Sequence, residues 1–196
     1  MVAENVSDAV RAHLHRCIGG PEPESASVTF LGVESLEVLR FAPPAPDGDV
    51  RYVSLGCSRY PMGDPTAMVS DPERGPRAEL ELTLHAYTPT RGVHRALAVL
   101  AATPAVEGLV LVADALLDLG EPLWEGSPFT GVLLGPGDIP DLELPEPRDP
   151  VRFFDAVPVT GTEAAWVRVR GADALREAWV EAGIDIRDPR RSSVNL

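Results

Sequence analysis

Arg77-Ala-Glu-Leu-Glu-Leu-Thr-Leu-His-Ala-Tyr87 alternates at every position. Ala78, Leu80, Leu82, Leu84 and Ala86 fall on one side, and Arg77, Glu79, Glu81, Thr83, His85 and Tyr87 on the other. A period of two marks a β-strand with one apolar and one polar face. The run Val50-Arg-Tyr-Val-Ser-Leu-Gly56, rich in β-branched and aromatic residues, predicts a second strand. Between the two, Cys57-Ser-Arg-Tyr-Pro-Met-Gly-Asp-Pro-Thr66 spaces Gly and Pro too closely to continue either strand. The expected unit is a wide hairpin carrying a structured loop, for which the rest of the chain supplies layers and edges.

Upstream, Asn5 or Ser7 can cap a helix that ends at Gly19-Gly20-Pro21 and carries Val6, Val10, His13, Leu14 and Cys17 on one stripe. An acidic linker over residues 21–27 and two strands, 28–33 and 36–41, turning at Glu34-Ser35, are expected next. Downstream, residues 93–103 read as a helix that Pro104 helps to stop, residues 109–112 favour a strand, and residues 113–119 suit either state. Short strands separated by turns are expected over 122–147, then a strand over 151–159 with Pro158 at an edge or bulge. Thr160-Gly-Thr-Glu163 is a capping box. Two helices follow, from Glu163 toward Val169 and over residues 173–182, the second with Leu175 and Trp179 on one face. Strands first, with helices inserted and at both ends, predict an α+β fold: a mixed, largely antiparallel sheet with flanking helices. A helix and linker over residues 1–24 precede a domain over residues 25–196.

The net charge of -13, from 17 basic residues (all Arg) and 30 acidic ones, argues against binding nucleic acid, which needs a basic surface. It suits a basic partner. No apolar run is long enough to cross a bilayer and residues 1–20 lack the pattern of a signal peptide, so a cytoplasmic protein without a membrane partner is expected. In that compartment Cys17 and Cys57 are expected to be free thiols.

His13 and Cys17 stand four apart, but no other Cys or His clusters with them, so no metal site is expected. Glu79, Glu81, Thr83 and His85 share a strand face at the spacing of an acid/base pair. The polar face of a half-exposed strand looks the same without any catalysis, and that reading weighs more. The Gly-x-Ser-x-Gly frame is missing around Ser54 and Ser58, and Cys57 reads as a small half-buried thiol. Gly131, Gly135 and Gly137 form no phosphate cradle, and Asp138 stands where Lys would be needed; no cofactor is expected. Tyr60-Pro-Met62 has the residue types of a protein-gripping surface, although Met62 could equally plug the end of the sheet. Arg77 is expected either to pair with Glu163 as a buried bridge or to touch a ligand.

In order and spacing, several blocks resemble the Suppressor of fused domain family over residues 25–196. They are Val53-Ser-Leu-Gly-Cys-Ser-Arg-Tyr-Pro-Met62, Arg77-Ala-Glu-Leu-Glu81, Gly126-Ser-Pro-Phe129 with Val132-Leu-Leu134, Phe154-Asp-Ala-Val-Pro-Val-Thr160 with Glu163, and Asp188-Pro-Arg-Arg-Ser192. Two features depart from the pattern: Cys57 stands where Met is usual, and residues 114–120 lack a Gly-His pair. The resemblance implies a non-catalytic mixed α/β domain that binds another protein. Bacterial members look like immunity proteins that neutralise a toxin, so a basic toxin domain is the implied partner. Binding would use an exposed sheet edge or the loop over residues 57–66, with Ser58, Arg59, Tyr60, Met62, Arg77, Glu79 and Glu81 as expected contacts. The rival is a small hydrolase or transferase using Glu79, Glu81 and His85, with Glu163. A third reading is a structural subunit whose polar strand face supports a homodimer.

Overall fold

In the computed structural model, which describes residues 5–63, 68 and 71–196, the chain builds seven strands and four α-helices. They are α1 (Val6–Ile18), β1 (Glu24–Phe30), β2 (Val33–Phe41), β3 (Asp49–Leu55), β4 (Arg77–His85), α2 (Val93–Glu107), β5 (Leu116–Asp118), β6 (Phe129–Pro136), β7 (Val151–Thr160), α3 (Gly161–Arg170) and α4 (Ala172–Glu181). One sheet runs in the order β1-β2-β3-β4-β7-β6-β5, with only the β4–β7 pair parallel. The expected wide hairpin is there: β3 and β4 pair antiparallel, with Val50 opposite Leu84 and Tyr52 opposite Leu82.

The apolar face of β4 lies under α2, where Ala78, Leu80, Leu82 and Leu84 join Leu97, Leu100 and Ala101 in the main core. Two groups of helices cover the opposite face. Helix α1 sets Val6, Val10 and Leu14 on Leu39, Val53 and Phe153, while α3 and α4 set Val167, Leu175 and Trp179 on Leu133 and Val159.

Several boundaries differ from expectation. The first hairpin turns at Leu31-Gly32, where Gly32 takes φ 81°, because Phe30 pairs with Val33 and Glu34-Ser35 already lie in β2. Residues 24–27 belong to β1 and not to a linker. Helix α2 continues through Pro104 to Gly108, which caps it in the left-handed region. The Leu100 carbonyl, which an amide at position 104 would have bonded, accepts the Thr103 hydroxyl at 2.8 Å, so the proline is tolerated in the last turn. Residues 109–112 are not a strand. Leu111 is buried there and its N–H donates to Met62 Sδ at 3.4 Å. Pro158 sits inside the sheet, at a place where β4 no longer pairs with β7; its carbonyl accepts a hydrogen bond from Arg191 Nη2 at 2.8 Å.

Cys17 is not in the buried stripe of α1 but exposed, and Cys57 is half-buried; both are free. His13 stacks on Phe153 and bonds the Pro140 carbonyl oxygen through Nε2 at 2.7 Å. Among the described residues no group of three or more His, Cys, Asp or Glu is placed to hold a metal ion. No described helix is long and apolar enough to cross a membrane.

Candidate functional site

The first half of the polar face of β4 is buried, not half-exposed: Arg77 is 2% exposed, Glu79 0% and Glu81 2%, while Thr83 and His85 are partly buried. An alternating pattern reveals which side chains share a face, but not whether something covers it. Here three stretches of backbone lie over that face, the first held by Arg77 and Glu79, the second by Glu81 and the third by His85.

The first stretch is the single 3-10 turn Cys57–Arg59. Glu79 accepts hydrogen bonds from the Gly56 N–H at 3.0 Å, the Ser58 N–H at 2.9 Å, the Ser58 hydroxyl at 2.6 Å and the Ser54 hydroxyl at 2.5 Å. Two residues back along the strand, Arg77 donates to the carbonyls of Ser58 and Arg59 at 2.9 Å each, and to that of Glu73 at 3.0 Å. A carboxylate therefore takes the amide end of the turn and a guanidinium its carbonyl end, the polarity that the turn's own dipoles favour. Burial pushes the Glu79 carboxyl up while its hydrogen-bond donors pull it down. Burial, then the Glu79 charge, pushes the Cys57 thiol well above its ordinary value, which keeps it neutral and a poor nucleophile.

Glu81 holds the second stretch. Its Oε1 accepts the Asp138 N–H at 2.7 Å, and Arg51 Nη1 lies 3.7 Å from Oε2. At Gly137 a Cβ would stand 2.1 Å from that Oε1, so only glycine allows this approach. Asp155 lies opposite Glu81 in the β4–β7 register, and burial together with the Glu81 charge pushes its carboxyl up to about 7. A carboxyl raised in the folded state favours folding fully below its unfolded value and loses that contribution as pH rises through about 7. Asp155→Asn is therefore expected to be more stable than the parent at pH 8, by roughly 1–3 kcal/mol, and to converge with it near pH 4. Urea titrations at both pH values test this; an unchanged difference between them would count against the buried pair.

The third stretch is the C-terminal segment. His85 lies between Asp49, 2.5 Å from Nδ1, and Asp185, 2.7 Å from Nε2, and its backbone N–H donates to the Arg187 carbonyl at 2.9 Å. The hydrogen bond to Asp185 is the largest cause of its raised pKa.

Beside the clamped turn a cavity of about 130 Å³ opens between the β1–β2 hairpin, residues 56–62 and the last turns of α2. Tyr60 stands at its mouth, 59% exposed, with its hydroxyl donating to Glu34 Oε1 at 3.1 Å. Arg59 Nη1 reaches the other Glu34 oxygen at 2.5 Å. Met62 is buried in the cavity wall, so it plugs the sheet end and lines the opening at once. Of the expected contacts, Arg59 and Tyr60 reach the surface and Met62 lines the cavity, whereas Ser58, Arg77, Glu79 and Glu81 are interior and can act on a partner only by shaping the loop. Residues 64–66 of that loop lie outside the described residues.

The expected Arg77–Glu163 bridge is replaced by two separate sites. Arg77 binds backbone carbonyls, while Glu163 pairs with Arg191, Nη1 to Oε1 at 2.7 Å and Nη2 to Oε2 at 2.9 Å. The acid/base reading required Glu79, Glu81, His85 and Glu163 to converge on one cavity. Each has its own partners, and none lines the opening beside Tyr60.

The family model described as Suppressor of fused protein matches residues 32–192. The chain belongs to the Suppressor of fused family. No curated protein matches it. Among solved structures the fold of this family member is similar to a suppressor of fused homologue from Neisseria gonorrhoeae FA 1090, at 22% identity and a TM-score of 0.68, over 97% of each chain. A chain of the Sufu–Fu complex matches at 14% identity and a TM-score of 0.67, over 95% of this chain and 91% of that one. Drosophila Suppressor of Fused matches at 15% identity and a TM-score of 0.67, over 95% of this chain but 50% of its own. These likenesses agree with the α+β sheet expected from the sequence. Sequence reasoning about this family member missed Ser54, Glu34 and Arg191; Ser54, a lone hydroxyl within Tyr-Val-Ser-Leu, was the readable signal of a buried polar partner.

Proposed function

We propose that the chain is a non-catalytic protein-binding module, an immunity or regulatory protein that binds and neutralises a basic partner such as a toxin domain. One observation carries this reading: the buried ions of the central strand hold backbone, and the turn that Arg77 and Glu79 clamp presents Tyr60 and an apolar opening to solvent. Binding gains from a loop that is ordered beforehand, because less freedom is lost on association. Membership of the Suppressor of fused family supports the reading, and so does the net charge of -13, which steers basic proteins toward the surface. A structurally similar chain comes from a complex of two proteins, Sufu and Fu.

The experiment is affinity capture from the native host with the parent chain, Tyr60→Ala and, as a surface control, Tyr87→Ala. The expected result is one basic protein retained by the parent and the control, and retained at least tenfold less by Tyr60→Ala, as for an aromatic anchor worth about 1.4 kcal/mol or more. Retention of chaperones alone would remove the proposal.

A further inference from the structure

We propose that His85 is a pH-operated latch: while both ring nitrogens carry protons it ties residues 185–188 to the end of the β3–β4 hairpin, and loss of one proton releases that segment. The geometry fixes the charge on the ring. Asp49 lies 2.5 Å from Nδ1 and Asp185 2.7 Å from Nε2, and an ionised carboxylate only accepts hydrogen bonds. A neutral imidazole has one N–H and satisfies one of the two; its other nitrogen then turns a lone pair on a carboxylate oxygen. Both contacts are hydrogen bonds only in the imidazolium form. The backbone adds a third tie, from the His85 N–H to the Arg187 carbonyl.

The charges around the ring make that proton decisive. From β3, Asp49 also accepts Arg187 Nη1 at 2.8 Å, and Arg51 lies 3.7 Å from Glu81 of β4. Asp138, in the stretch that Glu81 holds, stands between Arg51 and Arg187 at 3.6 and 3.5 Å. Asp155 of β7 lies opposite Glu81. On the other side of the ring, Tyr87 stacks at 6.1 Å between ring centres, its hydroxyl donates to Asp188, and Arg190 lies over it at 5.9 Å. Asp188 and Arg190 offset each other. The remaining groups do not: with protons on His85 and Asp155 four carboxylates face three cations, and without them five face two. Both protons leave in the same direction of pH. His85 is raised, first by its bond to Asp185, and Asp155 is raised to about 7. Each contribution is complete below the unfolded value and is lost as pH rises through the folded one, so the segment is docked below neutrality and released above the ordinary histidine range. Its flanks stay fixed, because the Ile184 N–H donates to the Trp179 carbonyl at 2.9 Å and Arg191 stays on Glu163.

Amide hydrogen exchange of the full chain from pH 6 to pH 9, with each rate referred to its intrinsic value at that pH, reads the segment through the His85 N–H. Ring nitrogen chemical shifts read the titration of His85 itself. Protection of the His85 amide is expected to fall about tenfold across this range, the worth of one hydrogen bond to a charged group, with the same midpoint as the ring. Protection at Val194, whose N–H donates to Glu163, and across β6 and β7 is expected to persist. Asp185→Asn, at an exposed position, is expected to lower both midpoints together, because it removes the carboxylate that does most to hold the proton. His85→Gln is expected to show at pH 6 the low protection that the parent shows at pH 9.

Constant protection of the parent across the range, or a transition whose midpoint Asp185→Asn leaves in place, would overturn the proposal. Asp155→Asn separates the two protons: the transition is expected to remain in this variant, and its disappearance would assign the release to Asp155 and make His85 a structural contact only. The latch stands apart from the protein-binding reading above, and none of these measurements depends on a partner.

Discussion

Arg191→Met is expected to lower folding stability by about 3–5 kcal/mol, the cost of removing one member of a buried, hydrogen-bonded ion pair. Glu163 is 0% exposed and accepts bonds from both Arg191 terminal nitrogens, the Trp179 indole at 3.2 Å, and the N–H groups of Thr160 at 3.0 Å and Val194 at 3.1 Å. Burial alone would raise its carboxyl, but these bonds together outweigh burial and hold it below the usual carboxylate range. Removing the guanidinium leaves that charge buried beside Phe129 and Trp179, the two rings over which Arg191 lies at 4.8 and 5.3 Å, and also frees the Pro158 carbonyl. Arg191→Lys should recover only part of the loss, because an ammonium cannot meet both carboxylate oxygens in one plane. Urea unfolding measures both variants. A loss under 1 kcal/mol for Arg191→Met would mean that the C-terminal segment is not part of the folded unit. The measurement has a wider use, because a domain of this size has only about 5–15 kcal/mol in total.

The second large effect falls on the clamp. Glu79→Leu leaves the Gly56 and Ser58 N–H groups and two serine hydroxyls without their acceptor, and is expected to cost about 3–5 kcal/mol. Arg77→Met strands three backbone carbonyls and is expected to cost about 2–4 kcal/mol. The side chains hold opposite ends of one turn, so the losses should not add. Once one end is free the other has less left to hold, and the double mutant should fall short of the sum by about 0.5–3 kcal/mol. Amide hydrogen exchange supplies the local readout: protection at Gly56, Ser58 and Met62 should fall in Glu79→Gln while that of β6 and β7 is retained. Strict additivity, with unchanged exchange at the turn, would show that the turn is held by something other than these two ions.

How far such features can be read beforehand depends on what kind of information they carry. The alternation over residues 77–87 identified β4 and its partner β3, because period and composition are local properties of the chain. The capping box at Thr160 was equally legible and both of its bonds are present, since its two side chains lie three residues apart. The turn of the first hairpin was misplaced because Glu34-Ser35 and Leu31-Gly32 are both plausible turn pairs, and only the pairing of Phe30 with Val33 selects one. The end of α2 was misplaced because a proline in the last turn costs little once Thr103 takes the freed carbonyl.

The partner of Glu163 shows the limit most clearly. Arg77 and Arg191 are both arginines at a distance in sequence, and nothing in the order of residues ranks them. The return of the chain from α4 to the end of β7 brings Arg191 to Glu163, while β3 and the turn after it bring three carbonyls to Arg77.

The sequence by itself determined the central strands β3 and β4, the α+β class and the family, because each follows from pattern and spacing along the chain. Tertiary structure alone decided that Arg77, Glu79 and Glu81 of β4 are covered, which ion holds which loop, and that an apolar opening lies beside Tyr60. The reason is physical: whether a charged side chain meets water or backbone is settled by segments that reach it from elsewhere in the chain, such as residues 56–59, 137–139 and 185–187.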